Sequence, residues 1–171
     1  DDLRDFRKLG APRLYFGVNA GAMDSMVNHY TASKRLRSDD AYTPEGRAGQ
    51  RPDYAVTVYT KILKQIWPEV PVVIGGIEAS LRRLTHYDYW QDALKPSILV
   101  DSGADWLIYG MGERPVLELT RAIESRRNMS DIRRIPQIGF LMGGKCPLQD
   151  AVYLNSFERC CKDKTAFAEN F

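Results

Sequence analysis

Six polar residues in this sequence have the types and placement to do chemistry: Asn19, Asp24, Glu78, Arg82, Arg83 and Glu113. Each follows a short apolar stretch, at residues 13–18, 70–74 or 105–109, that reads as a strand. Charged groups just beyond the carboxyl ends of parallel strands lie where open α/β sheets bind small molecules. A second cluster, Tyr87, Tyr89 and Trp90 with His86, Asp88 and Asp92, stands beside the two arginines. Aromatic faces next to guanidinium groups suit a planar ligand such as a nucleobase or adenosyl group, held by stacking and cation–π contact. A plainer reading stands beside each of these. Asn19 can serve as a turn residue, Asp24 as a helix cap, His86 as a packed histidine, and the aromatic cluster as a cover for the edge of the core.

The chain is organised around residues 70–83. Val70, Val72, Val73 and Ile74 form the nearly continuous apolar run of a strand covered on both faces. Gly75-Gly76 then stops it, and with no Cβ these residues allow a sharp turn and the close approach of a ligand. The same strand-then-polar pattern occurs at residues 13–19, where Asn19-Ala20-Gly21 makes the turn. It recurs at residues 105–113, where a helix opens with Glu113 near its positive end and Pro115 in its first turn. A helix beginning near Pro52-Asp53 carries the stripe Tyr54, Ala55, Val58, Ile62 and Ile66, and Trp67-Pro68 ends it. The helix after Glu113 carries Val116, Leu117, Thr120 and Ile123. Strand, helix and strand in succession imply parallel pairing through a right-handed crossover. Gln137 to Leu141 reads as a last strand. Residues 25–51 are long, polar and rich in turn formers, as functional loops or disordered segments are. Within them, Lys34, Arg35 and Arg37 suit a phosphate or an RNA backbone, or else a solvated face beside Asp39 and Asp40.

With 171 residues, 44% hydrophobic and 27% charged, the composition fits one domain with a sizeable core. The boundaries expected are a domain over residues 1–142 and a C-terminal extension, partly disordered, over 143–171. A net charge of +2 does not by itself argue for nucleic acid. No apolar run approaches the ~20 residues needed to cross a bilayer, and the acidic start is unlike a signal peptide, so no membrane partner and a cytoplasmic location are expected. Cys146, Cys160 and Cys161 have neither a disulfide framework nor metal-site spacing. Nucleophile elbows, zinc-protease histidine pairs and glycine-rich phosphate loops are absent from the sequence, and Gly110-x-Gly112 does not complete a dinucleotide fingerprint.

Three stretches, FGVNAGAMDSMVNHYTASKRLRSDDAYTPEGRAGQRPD, VVIGGIEASLRRLTHYDYWQD and WLIYGMGERPVLEL, closely resemble the YgiQ-type family of radical S-adenosylmethionine (radical SAM) proteins. The resemblance spans about Phe6 to Phe140. It implies a Rossmann-like open parallel sheet flanked by helices, similar to a cobalamin-binding domain but incomplete at its N-terminal edge. It also implies a position ahead of a radical SAM core in the same chain. A 4Fe–4S cluster and S-adenosylmethionine are then expected in the full-length protein. They are not expected in this stretch, which lacks the CxxxCxxC thiolates that anchor such clusters. Nor does it hold the Asp-x-His-x-x-Gly pattern of cobalamin ligation. The leading expectation is an accessory or substrate-gating region without catalytic residues of its own. In it Asn19, Asp24, Glu78, Arg82, Arg83, Tyr87, Tyr89, Trp90 and Glu113 are the candidates for ligand binding or a domain interface. A nucleotide- or RNA-binding module and a structural interdomain scaffold are the two alternatives.

Overall fold

The computed structural model describes residues 3–144 and 149–171. Cys146 therefore lies outside the described residues. A short helix α1 (Leu3–Arg7) leads to strand β1 (Phe16–Val18), followed by α2 (Ser25–His29), a single 3-10 turn (Pro44–Gly46) and α3 (Ala55–Ile66). Then come β2 (Val72–Ile74), α4 (Gly76–Leu81), β3 (His86–Asp88), β4 (Ala93–Lys95), α5 (Ile98–Ser102) and β5 (Trp106–Ile108). The chain continues through α6 (Glu113–Glu124), α7 (Met129–Ile132), β6 (Ile138–Gly139), α8 (Phe157–Lys162) and α9 (Lys164–Ala168).

Four strands form one sheet in the order β1-β2-β5-β6. β1 pairs parallel with β2, placing Phe16 opposite Val72 and Val18 opposite Ile74, and β2 pairs parallel with β5. The expected all-parallel sheet is corrected at one edge, where β6 runs antiparallel to β5. This strand is only two residues long, and it returns against β5 after α6 and α7 without a full crossover. The sheet is thus mixed and mostly parallel. β3 and β4 form a separate antiparallel hairpin.

Alternation along each strand sorts the core into two layers. Val18, Val72, Ile74 and Leu107 face α3 and α5, packing with Ala55, Val56, Leu63, Ile98 and Leu99. Val73, Trp106 and Ile108 face the other way, against Leu119, Ala122 and Ile132 of α6 and α7. Burial on both faces accounts for the absence of polar residues in β2 and β5, every one of whose residues is buried.

The helices bury different rows from those the apolar pattern suggests. In α3 the buried residues are Ala55, Val56, Thr57, Thr60 and Leu63, while Val58, Ile62 and Ile66 are half-buried. In α6 the buried row is Pro115, Leu119 and Ala122, spaced as one helical face, while Val116 and Leu117 are 42% and 48% exposed. Small residues (Ala55, Thr57, Thr60 and Ala122) share these inward rows with Val56, Leu63 and Leu119, so side-chain size alone does not select the row. α3 also begins later than expected, because Tyr54, its N-cap, adopts a left-handed conformation (φ 52°, ψ 49°).

Leu119→Ala is accordingly expected to cost about 2–5 kcal/mol in urea unfolding, as deletion of a fully buried leucine does. Leu117→Ala is expected to cost under about 0.5 kcal/mol, as at an exposed site. Equal losses would mean that α6 is rotated from the orientation described.

Candidate functional site

The carboxyl ends of β1, β2 and β5 open into a groove of about 510 Å³. It is lined by Tyr15, Gly17, Val73 and Ile108 and by the strand-end residues Val18 and Ile74, and around it stand Asn19, Gly75-Gly76, Gly110, Gly112 and Glu113. Gly76 has φ +79°, and a Cβ there would lie 3.3 Å from that of Asn19, so both backbone conformation and space require glycine. Gly17 is different. Its φ is not positive and a Cβ would meet nothing within 4 Å, so neither strain nor crowding requires glycine in the middle of β1. What its missing side chain does is leave the groove unfilled.

Two of the sequence-expected residues border this groove. Asn19 turns its Oδ1 back to accept the N–H of Gly21 at 2.8 Å, an Asx turn, and Glu113 stands exposed in the first turn of α6. Asp24, Glu78 and Arg82 come together elsewhere, in a buried network behind the strand ends. Glu78 is 0% exposed. Its Oε2 accepts the N–H of Ser25 at 2.9 Å and its Oε1 that of Val56 at 2.9 Å, so one carboxylate satisfies the open N-termini of both α2 and α3. Asp24 caps α2 with Oδ1, accepting from Met26 N–H (2.9 Å) and Val27 N–H (3.2 Å), and its Oδ2 takes the Arg82 guanidinium. Ser25 completes the joint by accepting the N–H of Ala55 with its Oγ at 3.2 Å. Burial works to pull the Arg82 pKa down, but the hydrogen bond it donates to Asp24 and the charges of Asp24, Glu78 and Asp88 outweigh it and hold it above the ordinary arginine value.

A second buried network fixes residues 25–51, which are folded and braced. Asp40, 1% exposed, accepts from Asn28 Nδ2 (2.7 Å), Tyr42 N–H (2.9 Å) and Arg51 Nε (2.7 Å). The His29 ring lies between two carboxylates, with Nε2 at 3.3 Å from Asp40 and Nδ1 at 2.9 Å from Asp53. Tyr30 donates its hydroxyl proton to Asp53 Oδ2 at 2.8 Å, and the negative partner raises the phenol pKa. Of the basic run, Arg37 donates Nε to the carbonyls of Val27 and Tyr30, both at 3.2 Å, and so braces its own loop. Sequence reasoning missed Asp40, Arg51 and Asp53 as members of one cluster. The signal available was the density of polar side chains in a stretch too long for an unsupported loop.

The aromatic cluster forms part of the β3–β4 hairpin and not of the groove. Tyr87 and Tyr89 are exposed. Tyr87 hydrogen-bonds Asp92, Tyr89 donates to the Ala32 carbonyl at 2.7 Å, and Lys34 Nζ lies 4.7 Å from the Tyr89 ring centre. Trp90 meets Tyr89 edge to face. These contacts tie the hairpin to residues 31–34. Arg83 is exposed and lies over the Tyr109 ring. Arg82, one of the cations on which a nucleic-acid reading rests, is 8% exposed and already bound to Asp24.

Among the described residues, no three His, Cys, Asp or Glu side chains converge as a metal site requires. Cys160 is buried and its neighbour Cys161 exposed, so the pair does not present two thiolates to one ion. The two described cysteines fall short of the three or four thiolates that an iron–sulfur cluster takes. No helix among the described residues is long and apolar enough to cross a membrane.

A family model described as "Radical SAM N-terminal" matches residues 1–171. The chain is 59% identical over its full length to a UPF0313 protein of Porphyromonas gingivalis and 55% identical to one of Bacteroides thetaiotaomicron. It is 51% identical over 97% of its length to one of Geobacter sulfurreducens. It spans 27%, 30% and 28% of the length of these three relatives, a little over a quarter. No solved structure matches it. The chain belongs to the radical SAM N-terminal family.

Removing the Glu78 carboxylate strands two buried amide donors and takes away one of the negative charges that favour Arg82. Glu78→Ala is expected to lower unfolding free energy by about 3 kcal/mol or more. Glu78→Gln, which keeps one acceptor, is expected to lose less, and chemical denaturation would compare the two. Asp40 gives a pH test. Burial pushes its carboxyl upward, but the hydrogen bonds from Arg51, Tyr42 and Asn28 with the Arg51 charge bring it below the ordinary value. A carboxyl lowered by folding adds stability above its unfolded pKa, near 3.9, and this is lost as pH falls through the folded value. Asp40→Asn should therefore flatten the acid limb of the stability–pH curve below about pH 4. An unchanged limb would remove Asp40 from the account.

Proposed function

We propose that this member of the radical SAM N-terminal family is the accessory region of a larger radical SAM protein, one that covers the active site and helps to admit or select substrate without supplying catalytic residues. The family expectation places a 4Fe–4S cluster and S-adenosylmethionine in the rest of that protein, where they would supply the radical chemistry. That expectation leaves the cluster's ligands to the rest of the protein, and the residues described here act by shape, charge and positioning.

One observation carries the reading. The groove at the carboxyl edge of β1, β2 and β5 is kept open by Gly17, a glycine that neither backbone conformation nor packing requires. A mid-strand glycine weakens a strand, since it adds backbone entropy and leaves nothing to pack. Its presence therefore fits a requirement for space, and the open position faces the sheet edge where α/β folds bind ligands. Asn19 and Glu113 at the rim supply polar groups for orienting whatever enters. Behind these strand ends the Glu78 carboxylate ties the starts of α2 and α3 to α4, which holds the edge in one arrangement, as a surface that discriminates by shape needs.

The experiment fills the groove in the complete protein, reconstituted without oxygen. Gly17→Val adds a β-favouring side chain where no atom stands within 4 Å, so the fold and the iron and sulfide content are expected to remain unchanged. Turnover, read as cleavage of S-adenosylmethionine, is expected to fall at least about tenfold, a barrier change of ~1.4 kcal/mol. Full cleavage activity in a variant with normal iron content would refute the gating role.

A further inference from the structure

A second cavity, of about 270 Å³, lies apart from the strand-end groove, between the β3–β4 hairpin and α3. The hairpin register explains its character. His86 and Asp88 are two residues apart on β3 and so share one face, while Tyr87 between them points away and is 51% exposed. Lys95 lies directly opposite His86 on β4, which puts it on that same face. Three polar side chains thus project from one side of a two-stranded ribbon towards Tyr54, Thr57 and Arg82 on the opposite wall.

The wall and the ribbon have hydrogen-bonding capacity left over. Arg82 is 8% exposed and gives one nitrogen to Asp24, yet its Nε has no acceptor among the described residues. Asp88 is 3% exposed, and both hydrogen bonds to its side chain, from the Tyr54 hydroxyl (3.1 Å) and the Gln91 N–H (2.8 Å), fall on Oδ1. That leaves Oδ2 as an acceptor. Lys95 makes no ion pair among the described residues, whereas Lys61 at the rim is engaged by Asp101 at 3.2 Å. His86 places Nδ1 3.1 Å from the Leu84 carbonyl, and a carbonyl only accepts, so Nδ1 carries the proton. Burial holds this imidazole below the usual histidine pKa, which keeps it neutral near pH 7 with its lone pair on Nε2. Tyr54, whose hydroxyl fixes Asp88, holds a left-handed conformation costly for a tyrosine, and such strain concentrates at binding sites.

The unused groups are of both kinds. A simple anion would meet the open oxygen of Asp88, with Asp24 and Glu78 behind Arg82. A simple cation would meet Lys95 and Arg82. We propose that this cavity binds a small zwitterion of the α-amino acid type, its carboxylate held by Lys95 and Arg82 and its ammonium group by Asp88 and His86 Nε2. The site is independent of the strand-end groove and of the role proposed for it.

The test uses the complete protein and calorimetric titration with each standard L-amino acid, and with acetate, methylamine and inorganic phosphate as probes that carry charge of one sign only. Saturable binding of one amino acid or a related set is expected, with acetate, methylamine and phosphate each weaker by at least about tenfold, ~1.4 kcal/mol. Lys95→Ala is expected to weaken that binding at least about tenfold with an unchanged melting temperature, because Lys95 braces nothing. Asp88→Asn is expected to weaken it similarly. The proposal is overturned if no amino acid binds, if acetate or phosphate binds as tightly as the best amino acid, or if Lys95→Ala binds it undiminished.

Discussion

The carboxylate of Glu78 sets a constraint on which much of this structure depends. Two helices, α2 and α3, begin at the same place in the core, and each brings unpaired N–H groups to its first turn. Buried without partners, such donors would each cost about 1–3 kcal/mol. One side chain from α4 answers both, with Oε2 on Ser25 and Oε1 on Val56. Its negative charge is favoured by the positive ends of the helices and by Arg82 nearby. Because α4 follows directly on β2, this contact also fixes how the two helices sit against the central strand. Two residues that looked like site chemistry in isolation, Asp24 and Glu78, are in this way engaged in holding the site's surroundings in place, and Arg82 is engaged there in part.

With those charges engaged, the strand-end groove keeps only a modest polar rim, Asn19 and Glu113, around a mostly apolar lining. Shape is its main property. Gly76 allows the turn and Gly17 leaves the space. The hairpin cavity has the opposite character: it is walled by charged groups of both signs that are partly unpaired, and the strained Tyr54 at its edge links it to the start of α3. Arg82 links this cavity to the Glu78 network, tied to Asp24 on one side and lining the cavity on the other.

Several elements were legible from the residues alone. The apolar runs at 70–74 and 105–109 announce buried strands because a strand covered on both faces has no polar position to interrupt it. Gly75-Gly76 marks the end of β2, and Asp24 had a capping reading that its bonds to Met26 and Val27 bear out. Less visible were the inward rows of α3 and α6. There, Thr57, Thr60 and Ala122 are buried while larger apolar residues stay partly exposed. The antiparallel direction of β6 was hidden as well, since a two-residue strand carries no directional pattern.

The sequence by itself determined the α/β class, the parallel core of three strands and the polar turns that follow them, because local periodicity and glycine placement act over a few residues. Only the tertiary structure decided which charges meet. Glu78 finds Ser25 and Val56, Asp24 finds Arg82, Asp40 finds Arg51, and His86, Asp88 and Lys95 share a hairpin face opposite Arg82. Most of these partners are distant along the chain, and strand register and helix rotation choose them. No local spacing encodes that choice, since a carboxylate reads the same in sequence whether it will cap a buried helix or hold a ligand.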